Sequence, residues 1–187
     1  MNRITEDNYC HQKDQIQLFS KLVFENTADY SFLISIAKKV GINALFHCPV
    51  YSNSDDETEI REFDLGEASF LFIALFYENL DVIRILLENG ADPNGRDFSE
   101  EPAIWELQYE YENSEYGLQA AKLLLEHGAD PNIEWEGQGF YYYVNTKPLD
   151  LISCKKEFDY LMSLCSLLEE YGGELPPFPD DETEGLV

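Results

Sequence analysis

Apolar residues along this chain recur at helical spacing, in short bursts that end at glycine. Ile16, Leu18, Phe19, Leu22 and Val23 form one burst, and Tyr30, Phe32, Leu33, Ile36, Ala37 and Val40 form a second that Gly41 stops. Each is an amphipathic stripe, so the pair predicts two short helices. Further helical bursts lie within 69–94, 101–132 and 147–175. Gly90, Gly128 and the pair Gly172-Gly173 close them, and Pro176, Pro177 and Pro179 bar the last from continuing.

Two of these endings are spelled almost identically, ILLENGADPN at 85–94 and LLLEHGADPN at 123–132. Each is a leucine-rich helical end, a glycine stop and an Ala-Asp-Pro-Asn turn. Asp92 and Asp130 recur as short acceptors for local backbone N–H groups. The segment SFLFIALFYENLDVIRILLENGADPN (69–94) closely resembles an ankyrin repeat. Ser69, Leu71, Ala74, Leu80, Val82, Leu86, Leu87, Gly90, Ala91 and Asn94 stand where that pattern wants such residues. In the next unit Pro102 sits where the family's Thr-Pro opens a first helix, a position that needs no N–H. Glu106 departs from the pattern, which there holds a small Ala.

The resemblance implies a single domain over 1–187, an all-α, ankyrin-type α-solenoid of about four helix-pair repeats with extended finger loops. The repeats fall at about 15–43, 69–94, 101–132 and 147–175, followed by an acidic tail, 176–187. Weaker matches at both ends suit terminal repeats, whose outer faces meet water.

The spacing departs from the family. Successive glycines, Gly41, Gly90, Gly128 and Gly172, lie 49, 38 and 44 residues apart, against about 33 in a usual repeat. The excess sits in the connector between Asn43 and Ser69, in YEYENSEYG (109–117) and in IEWEGQGFYYYVNT (133–146). Connectors of such length are functional or disordered, and aromatics beside acids disfavour disorder. The run Phe140, Tyr141, Tyr142, Tyr143 predicts a β-hairpin with one side packed. The alternative, for roughly half of these rings, is that they seat the finger on its neighbours.

Composition sharpens the picture. Hydrophobic residues make up 44% of the 187 and aromatics 14%, enough for a packed core. The net charge is −25, which disfavours nucleic acid and anionic membrane and favours a basic protein partner. That charge is concentrated. Residues 1–50 carry five acids and five bases, whereas 51–136 carry 22 acids against Arg61, Arg84, Arg96 and Lys122. A charge serving solubility alone would be spread more evenly.

Catalytic patterns are missing from the sequence. His11, His47 and His127 are isolated, with His127 expected to face solvent. Asp55-Asp56-Glu57 with Glu59 lacks the alternation of a calcium loop. Cys10, Cys48, Cys154 and Cys165 form no CxxC pair, and Cys154 and Cys165 are expected to be small buried thiols in helical segments. These features predict no enzyme, no cofactor and no metal. The polar N-terminus and the absence of a long apolar stretch predict a cytoplasmic protein.

The ankyrin resemblance also implies where a partner binds: on the finger loops and on the exposed end of each first helix. Here those positions are Phe76 and Tyr77, then Asp97, Phe98 and Glu100 in loop 95–100. Gln108, Tyr109, Glu110, Tyr111 and Glu112 follow, and then Glu134, Trp135, Glu136, Tyr141, Tyr142 and Tyr143 in loop 133–146. Rings supply contact area at low entropic cost, and carboxylates supply steering and register. A small, acidic chain of this kind resembles the immunity proteins that bacteria make beside secreted toxins. The expected partner is therefore a basic toxin domain, a nuclease in particular, bound as a heterodimer with its cleft covered. The alternative is a general adaptor or effector that recruits a cellular partner.

Overall fold

The computed structural model describes residues 6–26, 29–53, 60–147 and 154–175. The acidic tail, the Asp55-Asp56-Glu57 run and the Pro148-Leu149-Asp150-Leu151 stretch expected to open the fourth unit lie outside them.

Helices come in consecutive pairs, each followed by a glycine turn. The first pair is α1 (Glu6–Phe24) and α2 (Tyr30–Val40). Asp29 caps α2, its carboxylate accepting from the Ser31 and Phe32 amides at 3.0 and 3.3 Å. The second pair is α3 (Phe70–Phe76) and α4 (Leu80–Glu88), the latter capped by Asn79 on the Val82 amide. A 3₁₀ helix (Ala103–Tyr109) and α5 (Ser114–Glu126) make the third, and α6 (Phe140–Thr146) and α7 (Lys155–Glu170) the fourth. Gly90, Gly128 and Gly172 end α4, α5 and α7 with φ of 95, 93 and 91°, a backbone conformation that penalises any Cβ.

The pairs stack into two layers. α1, α3, the 3₁₀ helix and α6 touch in sequence on one side, and α2, α4, α5 and α7 on the other. Between them runs one continuous core, with Ile73, Ile83, Leu86, Leu107, Leu124 and Leu164 at most 1% exposed. The close approach of α7 depends on Gly117. A Cβ there would lie 2.5 Å from the Tyr160 hydroxyl, which donates to the Leu107 carbonyl.

Three expectations are corrected. The chain is not all-α, because the connector 44–68 forms an antiparallel hairpin of β1 (Phe46–Asn53) and β2 (Ile60–Ala68). Phe46, Cys48 and Val50 alternate inward against α1, and the Phe46 ring sits 4.6 Å from Phe70, itself 4.4 Å from Phe19. Pro49 is buried as well, at a register shift between His47 and Pro49, which leaves His47 the exposed residue of this stretch. The second correction concerns the aromatic run. A short hairpin does form, but from β3 (Glu134–Trp135) and β4 (Gln138–Gly139), whereas Phe140 to Tyr143 belong to α6. The fourth pair thus starts before Lys147, because Phe140, Tyr141 and Val144 bury one helical face. Third, Cys154 is exposed at the start of α7, whereas Cys165 is buried as expected. Among the described residues, no helix is long and apolar enough to cross a membrane.

Candidate partner-binding site

Two finger loops are built by local backbone chemistry and then stitched together. In the first, Asp97 Oδ1 accepts from the amides of Ser99 at 2.8 Å and Glu101 at 3.0 Å, folding the loop around its own carboxylate. In the second, Glu136 and Gly137 take φ of 50 and 82°, the positive pair that a tight hairpin turn between β3 and β4 requires. Arg96 joins them, donating to the carbonyls of Glu100 at 2.7 Å and Glu134 at 2.9 Å. Trp135 Nε1 adds a bond to the Ser99 carbonyl at 3.3 Å. The β1–β2 hairpin borders the same loops: the Phe98 ring covers Gly66, where a Cβ would meet it at 2.7 Å.

Beneath the fingers, Trp105 is the hub. Its ring lies 5.3 Å from Trp135, 5.2 Å from Phe140 and 5.1 Å from Tyr143, and its Nε1 donates to the Ile133 carbonyl at 3.1 Å. These rings therefore serve mainly to seat the finger.

Between α3 and the 3₁₀ helix opens a cleft of about 190 Å³, lined by Ala68, Phe72, Leu75, Phe76, Asp97, Glu106, Leu107, Glu110 and Tyr116. Glu106 and Glu110 have no hydrogen-bond or ion-pair partner among the described residues. Burial, and then Glu78 and Glu106, push the Glu110 carboxyl up to about 7. Burial and then Asp97 raise Glu106. Nearby, Glu101 is pushed up to about 7 by burial and then by Glu106, Asp97 and Glu136, and its Oε1 lacks a partner. Several carboxylates thus share one half-buried region with no lysine or arginine side chain paired to them among the described residues.

The expected site residues divide. Phe76, Phe98, Tyr109 and Tyr142 are exposed, as are Glu100, Glu134 and Glu136 at the finger tips. Asp97 and Glu110 line or border the cleft with Phe76. Tyr111 is half-buried against the core. Gln108 is a correction: it is 1% exposed and its Nε2 donates to the Trp105 carbonyl, so it cannot meet a partner. Tyr141 is another, 5% exposed with its hydroxyl donating to Glu169 at 2.7 Å. Tyr77 is half-buried, 5.8 Å from Phe24, and accepts the Tyr51 amide on its hydroxyl. Glu112 already carries a cation, Lys156 Nζ at 2.8 Å, and so stands apart from the unpaired group. His127 is half-buried rather than solvent-facing, its Nδ1 2.8 Å from the Leu123 carbonyl.

Glu106, Glu101 and Tyr116 were not among the expected residues. Glu106 had a signal, since it stands where the repeat pattern holds a small Ala. Tyr116 had none, because a tyrosine early in a second helix reads as core.

Residues 69–98, covering α3, α4 and the first finger, match the ankyrin repeat family model. That segment is one ankyrin repeat. Helix pairs stack against it on either side, the following one opening with a 3₁₀ helix. Ankyrin repeats are protein-interaction modules. Among curated proteins, none matches the chain.

Proposed function

We propose that this ankyrin array binds a basic protein through its fingers and the cleft beneath them, and that it acts as an immunity protein neutralising a basic toxin. One observation carries the reading: Glu106 lies near enough to both Glu101 and Glu110 to raise their carboxyls, none of the three has a paired cation among the described residues, and the rings of Phe76 and Tyr109 are exposed beside them. An arrangement that keeps unpaired carboxylates half-buried is costly for the free protein and is relieved by an incoming cationic surface. Nuclease toxins are the specific candidate, because a cleft that holds phosphate must be basic. Acidic fingers then occupy the place of the polyanion, and long-range attraction raises the association rate by about 10–10³-fold.

The test is to isolate the protein from its own cells at low salt, identify the chain bound to it, and assay that chain's nuclease activity with and without it. A basic nuclease silenced at equal stoichiometry supports the reading. A partner that is not basic, or a basic enzyme whose activity is unchanged, overturns the inhibitor reading and returns the adaptor.

A further inference from the structure

Resting on the basic-partner reading, we propose that the cleft between α3 and the 3₁₀ helix receives one arginine side chain of the partner, its stem against Phe72, Phe76 and Tyr116 and its guanidinium between Glu106 and Glu110.

The cleft's size selects a single side chain. At about 190 Å³ it falls below the range of roughly 300–1,000 Å³ typical of small-molecule pockets. It equals about six waters' share of liquid volume. A metal ion suits it poorly, since among the described residues no three His, Cys, Asp or Glu side chains are grouped to hold one.

Its chemistry selects a cation with an apolar stem. One part of the wall is Ala68, Phe72, Leu75, Phe76 and Leu107, and the other is Asp97, Glu106 and Glu110. Asp97 Oδ1 is already engaged by two backbone amides, which leaves Glu106 and Glu110 as the carboxylates without partners. Burial destabilises both charged forms, Asp97 adding to it at Glu106 and Glu78 and Glu106 adding to it at Glu110, so a cation entering between them relieves both.

Arginine fits better than lysine. A guanidinium is less strongly hydrated than an ammonium, stacks on aromatic faces and carries five donors, enough to serve two carboxylates at once. Phe72, Phe76 and Tyr116 supply the rings.

The experiment is an NMR titration of the full chain with N-acetyl-arginine-N-methylamide, its citrulline counterpart as the uncharged isostere, and the capped lysine analogue. Saturable shifts centred on Phe76, Glu106, Glu110 and Tyr116 are expected, with citrulline binding about tenfold or more weakly and lysine weaker than arginine. The Glu106→Gln/Glu110→Gln variant should keep its spectrum elsewhere, because it removes two charges that burial disfavours, and should lose the arginine response. Shifts that fail to saturate, citrulline or lysine binding as well as arginine, or an undiminished response in the double variant would each overturn the proposal. The titration needs no partner, so its failure leaves the basic-protein reading standing. Conversely, failure to isolate a basic partner does not alter what the cleft binds.

Discussion

Asn94 Nδ2 donates to the Gly128 carbonyl at 3.0 Å, while Asn94 Oδ1 accepts the amide of Asp130 at 2.8 Å. One side chain thus clamps the turn of the following repeat from both sides. Asn43 does the same to Gly90 and Asp92, and Asn132 to Gly172 and Glu174. The last residue of each turn is therefore the inter-repeat fastener, even where the turn is shortened to Gly41-Ile42-Asn43. Asn94→Ala removes two bonds and should cost about 1–3 kcal/mol in urea unfolding. Asn94→Asp keeps the acceptor for the Asp130 amide but sets a carboxylate oxygen against the Gly128 carbonyl, so it should cost at least as much. Equal stability of Asn94→Ala and the native chain would show that the ladder is ornamental.

Leu86 and Leu124 are both 0% exposed at equivalent positions in consecutive second helices. Truncating either to Ala should lower stability by about 2–5 kcal/mol, through lost transfer energy and a residual cavity. Chemical denaturation measures this, and a cost near zero at either position would mean that its repeat does not share the core.

Lys147 and Glu157 pair at 2.8 Å with side chains only 12% and 6% exposed, linking the end of α6 to the first turn of α7. Lys147→Met takes this lysine from a buried carboxylate and should cost up to about 3–5 kcal/mol, whereas Lys147→Met/Glu157→Leu should recover part of that loss. The exposed Lys155–Asp159 pair offers the contrast, since Lys155→Ala should cost at most about 0.5 kcal/mol. Equal penalties at the two lysines would refute the assignment.

The pH dependence has a definite sign. Glu101 and Glu110 are raised from 4.5 to about 7, so the folded state holds more protons than the unfolded state between those values. Their contribution to stability is therefore fully present below pH 4.5 and is lost as pH rises through about 7. Glu110 is faced by Glu78, Glu106, Tyr116 and Tyr160 and has no paired cation among the described residues to reverse that sign. Urea midpoints should fall between pH 5 and 8, and Glu110→Gln should flatten the slope. A slope unchanged by Glu110→Gln would place that titration elsewhere.

Gly117→Ala tests the packing of the last repeat. Its new Cβ would meet the Tyr160 hydroxyl at 2.5 Å and Glu110 Cβ at 2.6 Å. Overpacking of this kind should cost about 1–3 kcal/mol. Combining it with Tyr160→Phe should relieve part of the strain, and full stability of Gly117→Ala alone would show that α7 can withdraw freely.

The repeats themselves were legible in the amino-acid order, because they are local. Apolar residues three and four apart, a glycine after each second helix and an Asn at the end of the first three turns specify helix, stop and fastener within about a dozen neighbouring residues. The acidic bias of 51–136 was equally plain by counting. Tertiary structure alone decided what lay between repeats. Whether 44–68 is loop or hairpin depended on α1 offering a surface for Phe46, Cys48 and Val50. Whether Phe140 to Tyr143 make strand or helix depended on Trp105, 35 residues earlier than Phe140, as the ring they close upon. The candidate cleft is the clearest case. Glu106 was visible as an acid where a small residue belongs, but its pairing with Phe76 and Tyr116 arises only when adjacent repeats stack. Short-range periodicity sets each unit's shape, whereas burial and charge crowding are sums over neighbours that the chain order keeps far apart.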